Sequence, residues 1–226
     1  MPLSNRLAAI AKLIKNGDII ADIGTDHALL PVFLLENGTC PHVIACDINE
    51  GPLAVARKNT HGVSGIELRL GDGLSPISAG EVDCAVIAGM GGEIIAQIIE
   101  KSDISKEIRF ILQPMSSVDD LRKFLSENGF FVTHESVVKD ASRLYVIICA
   151  QYGGENGCYE DFELFIGKLR GKTEYEREYI MSEYERIKKL CADIKNVERK
   201  KELYEHSKKC LDKIEKIVGD FRHESI

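Results

Sequence analysis

Five short apolar runs, each closing on or beside an aspartate, a glycine or a glutamine, recur through the first half of this chain with helical patterns between them. They lie at 19–23 (IIADI), 42–47 (HVIACD), 66–70 (IELRL), 83–88 (DCAVIA) and 108–113 (IRFILQ). Runs of strand length alternating with helices admit few folds, because right-handed crossovers that pack helices on both faces connect parallel neighbours most simply. Pro31 and Pro52 fall where a first helical turn tolerates proline. Two more runs, 130–138 and 143–152, have only Lys139-Asp140-Ala141-Ser142 between them and are expected to pair as an antiparallel hairpin. The expected fold is therefore α/β, a doubly wound sheet of seven strands with the last reversed. An opening helix is expected behind Ser4, a suitable N-cap, because Leu7, Ile10, Ala11 and Ile14 recur at helical spacing.

From residue 155 onward the pattern changes: the chain is charge-dense and carries no strand-like run. Ile180, Tyr184, Ile187, Cys191 and Ile194 step by four and three, and Leu203, Ser207, Cys210, Ile214 and Ile217 do the same. That spacing is the seam of a coiled coil, and a break around Lys195 to Arg199 would fold it into an antiparallel hairpin. The stretch Gly153-Gly154-Glu155-Asn156-Gly157 suits a turn or linker, so two domains are expected, 1–153 and 154–226.

Composition narrows the class. At 44% apolar and 29% charged the chain has enough apolar side chains for a core, and its net charge of -7 repels polyanions unless basic patches act locally. Its seven cysteines form no CxxC pair, which argues against a metal ribbon or a secreted disulfide framework and for reduced thiols. The chain opens MPLSNRL without a basic-then-apolar leader, and no apolar stretch approaches the roughly 18 residues that span a bilayer. A cytoplasmic protein without metal or membrane is expected.

The chemistry should sit at the carboxyl ends of the strands. After the first strand, Asp22-Ile23-Gly24-Thr25-Asp26-His27-Ala28 offers a glycine turn before a helix N-terminus. Asp26 stands where a dinucleotide loop would carry its second glycine, and a carboxylate there would repel a pyrophosphate. The ligand should carry a positive centre, which S-adenosylmethionine (SAM) provides and NAD does not. Asp47 closes the second strand, where an acid accepts from ribose hydroxyls, and Asp72 in Gly71-Asp72-Gly73 could take the amine of an adenine. Ala88-Gly89-Met90-Gly91-Gly92 brings backbone close to something flat, and Gln113 ends the fifth strand. Each has a plainer reading. Asp22, Asp26 and Asp72 could cap helices or turns, Asp47 could be a solvated strand end, and the glycines a tight turn. Gln113-Pro114 serves a site or only bends the chain. His27 is read as a neighbour of the site, and Tyr145 as a core residue.

These residues, in this order, resemble the class I SAM-dependent methyltransferases and, more narrowly, the TrmK family of bacterial tRNA (adenine(22)-N(1))-methyltransferases. The likeness rests on LSNRL at 3–7, ADIGTDHALLP at 21–31, Gly51-Pro52, GDGL at 71–74, IAGMGGEII at 87–95, ILQP at 111–114 and the coiled-coil tail. It implies a Rossmann-like domain that holds SAM at Asp22, Gly24, Asp47, Asp72, Gly73 and Gly89, with Asp26 at the catalytic centre. It also implies tRNA as partner, methylated at N1 of adenine 22 and held in part by the helical hairpin; the candidates for the substrate side are Met90, Gly91, Gly92 and Gln113 at the strand ends and the basic residues Arg6, Lys188 and Lys189. No Asn/Asp-Pro-Pro-Tyr follows the fourth strand, which agrees with attack by a ring nitrogen rather than an exocyclic amine. The basic runs of the tail alternate with Glu185, Asp193, Glu198 and Glu202, so a salt-bridged helical face explains them as readily as RNA contact. The rival readings are a SAM methyltransferase acting on a small molecule or protein, and a nucleotide-binding regulator with a coiled-coil arm.

Overall fold

The computed structural model describes residues 3–153 and 159–223, which leaves most of the expected linker, residues 154–157, outside the described residues. The chain forms two compact units, one of Met1–His134 with Val138–Cys158, the other of Glu135–Val137 with Tyr159–Ile226.

In the first unit, helix α1 (Asn5–Ala11) opens behind Ser4, whose hydroxyl accepts the Leu7 N–H at 3.4 Å. Strands β1 (Ile20–Ile23) and β2 (Val43–Asp47) are buried along their whole length, as parallel strands covered on both faces must be. Strand β3 (Ile66–Leu70) is half-exposed. Strands β4 (Cys84–Met90) and β5 (Arg109–Pro114) follow, then β6 (Phe130–Asp140) and β7 (Arg143–Tyr152). The sheet order is β3-β2-β1-β4-β5-β7-β6, with β7 antiparallel to β5. The reversed last strand is thus present, and the hairpin turn is tighter than expected: only Ala141 and Ser142 separate the strands, with Ala141 at φ 52°.

Helices α2 (Leu29–Glu36), α3 (Glu50–Asn59), α4 (Gly92–Glu100) and α5 (Val118–Glu127) fill the crossovers, with one exception. Between β3 and β4, where a helix is expected, the chain makes only turns. Gly71, Gly73, Pro76 and Gly80 break any helix there, and Arg69 takes over the job of pinning the segment. Its guanidinium donates to Pro76 O at 2.7 Å, to Glu81 at 2.8 and 2.5 Å, and to Glu67 at 2.8 and 2.9 Å. On one face of the sheet Ile10 and Ile14 of the opening segment pack with Leu30, Leu34, Ile20, Val86 and Ile111. Each fully buried side chain of this kind stabilises the fold by about 1.5–3 kcal/mol, so α1 is part of the core and not a loose leader.

The second unit contains α6 (Glu163–Ile166), α7 (Glu174–Ile194), a 3-10 turn (Glu198–Lys200) and α8 (Lys201–His223). The seam residues of α7 are all buried, and the break falls where the sequence places it. On α8 the register differs from expectation. Leu203 is 46% exposed, and the buried line runs Ser207, Cys210, Ile214, Val218 and Phe221, with Ile217 turned partly outward. A step of four followed by four keeps a helix of 3.6 residues per turn facing its neighbour, whereas the strict heptad drifts off the face. Among the described residues no helix is long and apolar enough to cross a membrane.

Candidate functional site

The strand order reverses between β1 and β4, and the cleft lies at the carboxyl ends of those two strands. Two adjoining chambers share Gly24, Asp26, Ala88 and Gly89 as lining. The larger, about 520 Å³, adds Asp47, Asp72, Gly73, Met90 and Gly91, flanked by Ile48 and Ile94. The smaller, about 310 Å³, adds Arg6, Asp22, Thr25 and His27.

Local backbone geometry explains the opening. Gly24 has φ +73°, a conformation that favours glycine, and the end of the Met90 side chain lies where a Cβ would meet it at 2.2 Å. At Gly89 the pairing of β4 with β5 shifts register between Ala88 and Met90, a bulge that turns the strand end into the cleft. Asp26 lies on the loop after β1, and Asp26 and Ala28 add strain there: both are non-glycine residues at positive φ, 52° and 55°. Such conformations cost about 1–3 kcal/mol each and persist only when neighbours hold them. Asp47 Oδ2 accepts the Asp26 N–H at 3.3 Å, and the Asn59 amide donates to His27 O at 2.8 Å. Asp26 is left with its carboxylate 69% exposed, 3.2 Å from His27 Nε2.

The acids differ in their surroundings. Asp22 is buried, accepts among the described residues only the Thr25 hydroxyl at 2.6 Å, and has its carboxyl pushed up to about 6, first by burial, with Thr25 opposing and the nearby Asp47 charge adding. Asp47 is buried with each oxygen already oriented by a backbone N–H, from Asn49 at 2.9 Å and from Asp26. Asp72 is exposed on the larger chamber, where Gly73 at φ +56° passes against Ile98.

The residues expected on the substrate side divide. Arg6, Met90 and Gly91 line the chambers. Gly92 is buried instead: its N–H donates to Ser116 O at 2.8 Å, and a Cβ would meet Ser117 O at 2.2 Å. Gln113 is fully buried beneath the cleft, its Oε1 accepting from Arg6 Nη1 and from the Gly89 N–H at 3.2 Å. Lys188 and Lys189 lie on α7 of the second unit, where Lys188 sits 5.5 Å from the Tyr184 ring centroid and 4.0 Å from Glu185. Sequence reasoning passed over Thr25, Asn49, Asn59, Ile48 and Ile94. The last two stand 59% and 52% exposed, an apolar pair no soluble surface needs. Tyr145 is only half-buried, its ring 5.7 Å beneath the Arg6 guanidinium. The described cysteines are buried thiols, with Cys46 and Cys84 pushed up to about 12 chiefly by burial, which makes them unreactive. Among the described residues no group of three or more histidines, cysteines or acids could hold a metal ion.

Fold and cleft define a methyltransferase: the family model described as a methyltransferase domain matches residues 3–148. The tRNA (adenine(22)-N(1))-methyltransferase of Bacillus subtilis is 32% identical over 225 residues, covering 90% of this chain and 93% of that protein, and the chain belongs to this family. The crystal structure of the B. subtilis M1A22 tRNA methyltransferase TrmK superposes with a TM-score of 0.84 at 27% identity, covering 96% and 99% of the two chains. Streptococcus pneumoniae Sp1610 in complex with S-adenosyl-L-methionine gives 0.81 at 29% identity, covering 96% and 100%.

Proposed function

We propose that this protein transfers the methyl group of SAM to N1 of adenine 22 in tRNA, working in the cytoplasm. The observation that carries the reading is a buried carboxylate, Asp22, with no cationic partner among the described residues, opening on a chamber beside a second one lined by three further acids, Asp26, Asp47 and Asp72. A phosphate-bearing ligand would be repelled there, whereas an ammonium and a sulfonium supply the missing positive charge. The cofactor therefore fits the residues present. Asp22 would hold its ammonium. Asp47, its carboxylate fixed by two N–H groups, keeps lone pairs for the ribose hydroxyls, and Asp72 with Gly73 would meet the adenine between Ile48 and Ile94. Gly24 and Gly89 let the backbone pass close to its centre.

When bound, SAM supplies an electrophilic methyl carbon, the new N–C bond forming as the C–S bond breaks and its electron pair passes to sulfur. Adenine N1 owns a free lone pair, so the protein has no proton to remove. Its task is alignment and charge. Met90 and Gly91 would carry the base, with Gln113 supporting the floor from below. Asp26, held by Asp47 and Asn59 in a strained loop between the chambers, would face the positive charge that the base acquires, the electrostatic role that usually yields the largest rate gain. Lys188 and Lys189 are proposed to meet the tRNA backbone. Incubation with radiolabelled SAM and a tRNA transcript should label the RNA at position 22. A transcript with guanine there should take up none; equal labelling of both, or label on protein instead, would overturn the reading.

A further inference from the structure

The smaller chamber holds Asp22 and Arg6 together, one buried acid and one permanent cation. That pairing is complementary to a zwitterion: an α-amino acid presents an ammonium and a carboxylate on one carbon, and a site that binds both ends needs both charges. Arg6 is built for such a task in three ways. Its charge is unspent. Arg109 bonds Asp18 and Arg69 bonds Glu67 and Glu81, but the partner of Arg6 is an amide, Gln113. Among the described residues its side chain has that one protein acceptor, so the rest of its five-donor fork is free for a ligand.

Its position is also fixed. The guanidinium lies 5.7 Å over the Tyr145 ring, and the Gln113 oxygen that anchors it also takes the Gly89 N–H. Gln113 cannot turn away, because its Nε2 donates to Pro114 O at 2.8 Å. Finally, the helix that carries Arg6 is tied down at its start: the Asn5 amide donates to Lys139 O at 3.1 Å, and the Arg6 N–H to Asp140 Oδ2 at 3.4 Å.

We infer that Arg6 is the residue that binds the carboxylate of the methyl donor, and that Gln113 is the positioning residue that aims it. This rests on the SAM reading above and moves both residues from the RNA side, where the sequence places them, to the cofactor side. A planar fork meeting a carboxylate in two parallel bonds is the strong form of such a contact.

Isothermal titration of the full chain with SAM and with decarboxylated SAM tests it. The wild type should bind the decarboxylated ligand roughly tenfold to hundredfold more weakly. Arg6→Ala and Arg6→Gln should weaken SAM by about the same factor yet leave the decarboxylated ligand within about threefold, because the lost contact is already absent from that pair. Gln113→Leu should show a smaller loss with the same preference. Equal weakening of both ligands by Arg6→Ala would assign Arg6 a structural role. An unchanged affinity for SAM with a raised KM for tRNA would return it to the RNA. Either outcome overturns the inference while leaving the methyl-donor reading intact. A wild type that binds neither ligand would sink both, and the wild-type comparison needs no variant that must fold.

Discussion

The two ends of the central strands treat charge in opposite ways. At the amino ends Arg109 pairs with Asp18, both more than three-quarters buried, and Asp83 accepts the Ile19 N–H at 2.8 Å. At the carboxyl ends Asp22, Asp26 and Asp47 find a hydroxyl, backbone N–H groups and one histidine, and Arg6 finds an amide. Charge matched within the protein at one end holds the sheet; charge left unmatched at the other is available to a ligand. Substitutions at the carboxyl ends should therefore cost function more than stability, and substitutions at the amino ends the reverse.

The largest effect is expected from Asp26→Ala. Turnover at saturating tRNA and SAM should fall roughly hundredfold to thousandfold, the range for removing one group aimed at charge developing in a transition state. SAM affinity by titration should stay within about threefold, and near-normal turnover would remove Asp26 from the mechanism. Next comes Asp47→Ala, which should weaken SAM by about tenfold to hundredfold. Because Asp47 also holds the Asp26 N–H, turnover should drop as well, though by less than in Asp26→Ala. A variant with normal affinity would show that Asp47 serves only to hold the backbone at Asp26 and Asn49.

Arg109→Met tests the other side of the comparison. It leaves the largely buried Asp18 carboxylate without its cation and should cost about 2 kcal/mol, a melting shift of about 4–8 °C for a chain of this length. SAM affinity should not move. Loss of cofactor binding with little loss of stability would erase the distinction between the two ends.

What could be read in the sequence follows from the same physics. The strands were legible because burial on both faces demands continuous apolar runs, and the acids because they stand one after another at the ends of those runs. Long-range side-chain contacts leave no such periodicity. Nothing local marks Asn59 as the donor to His27 O, or Gln113 as the anchor of Arg6, 107 residues away. Strain at Asp26 and Ala28 is equally silent, since neither is the glycine that would advertise a positive φ. After β3 the expectation of a helix passed over Gly71, Gly73, Pro76 and Gly80, which signal turns, and nothing local marks the Arg69 fork that pins the segment instead. On α8 a strict heptad projected past Ile214 chose Ile217 over Val218, an error of one residue that helical geometry accumulates.

The last expected effect concerns pH. Burial raises Asp22 from 3.8 to about 6, so between those values the folded protein holds a proton that the unfolded chain has released. Stability of the free protein should therefore decline as pH rises across that window, by about 3 kcal/mol in total if no ligand is present. SAM reverses the preference, because its ammonium favours the ionised carboxylate. Below pH 6 binding must first expel the proton, and affinity should weaken by about tenfold for each pH unit lost. Titrations at pH 7, 6 and 5 give the slope directly, and the same experiment in buffers of different ionisation enthalpy counts the proton released. Asp22→Asn should bind weakly and without slope. His27 shares the chamber and is the control: His27→Gln should keep the slope. A slope that vanished in His27→Gln and survived in Asp22→Asn would mean that the unmatched charge of this cleft resides on its rim and not at its buried end.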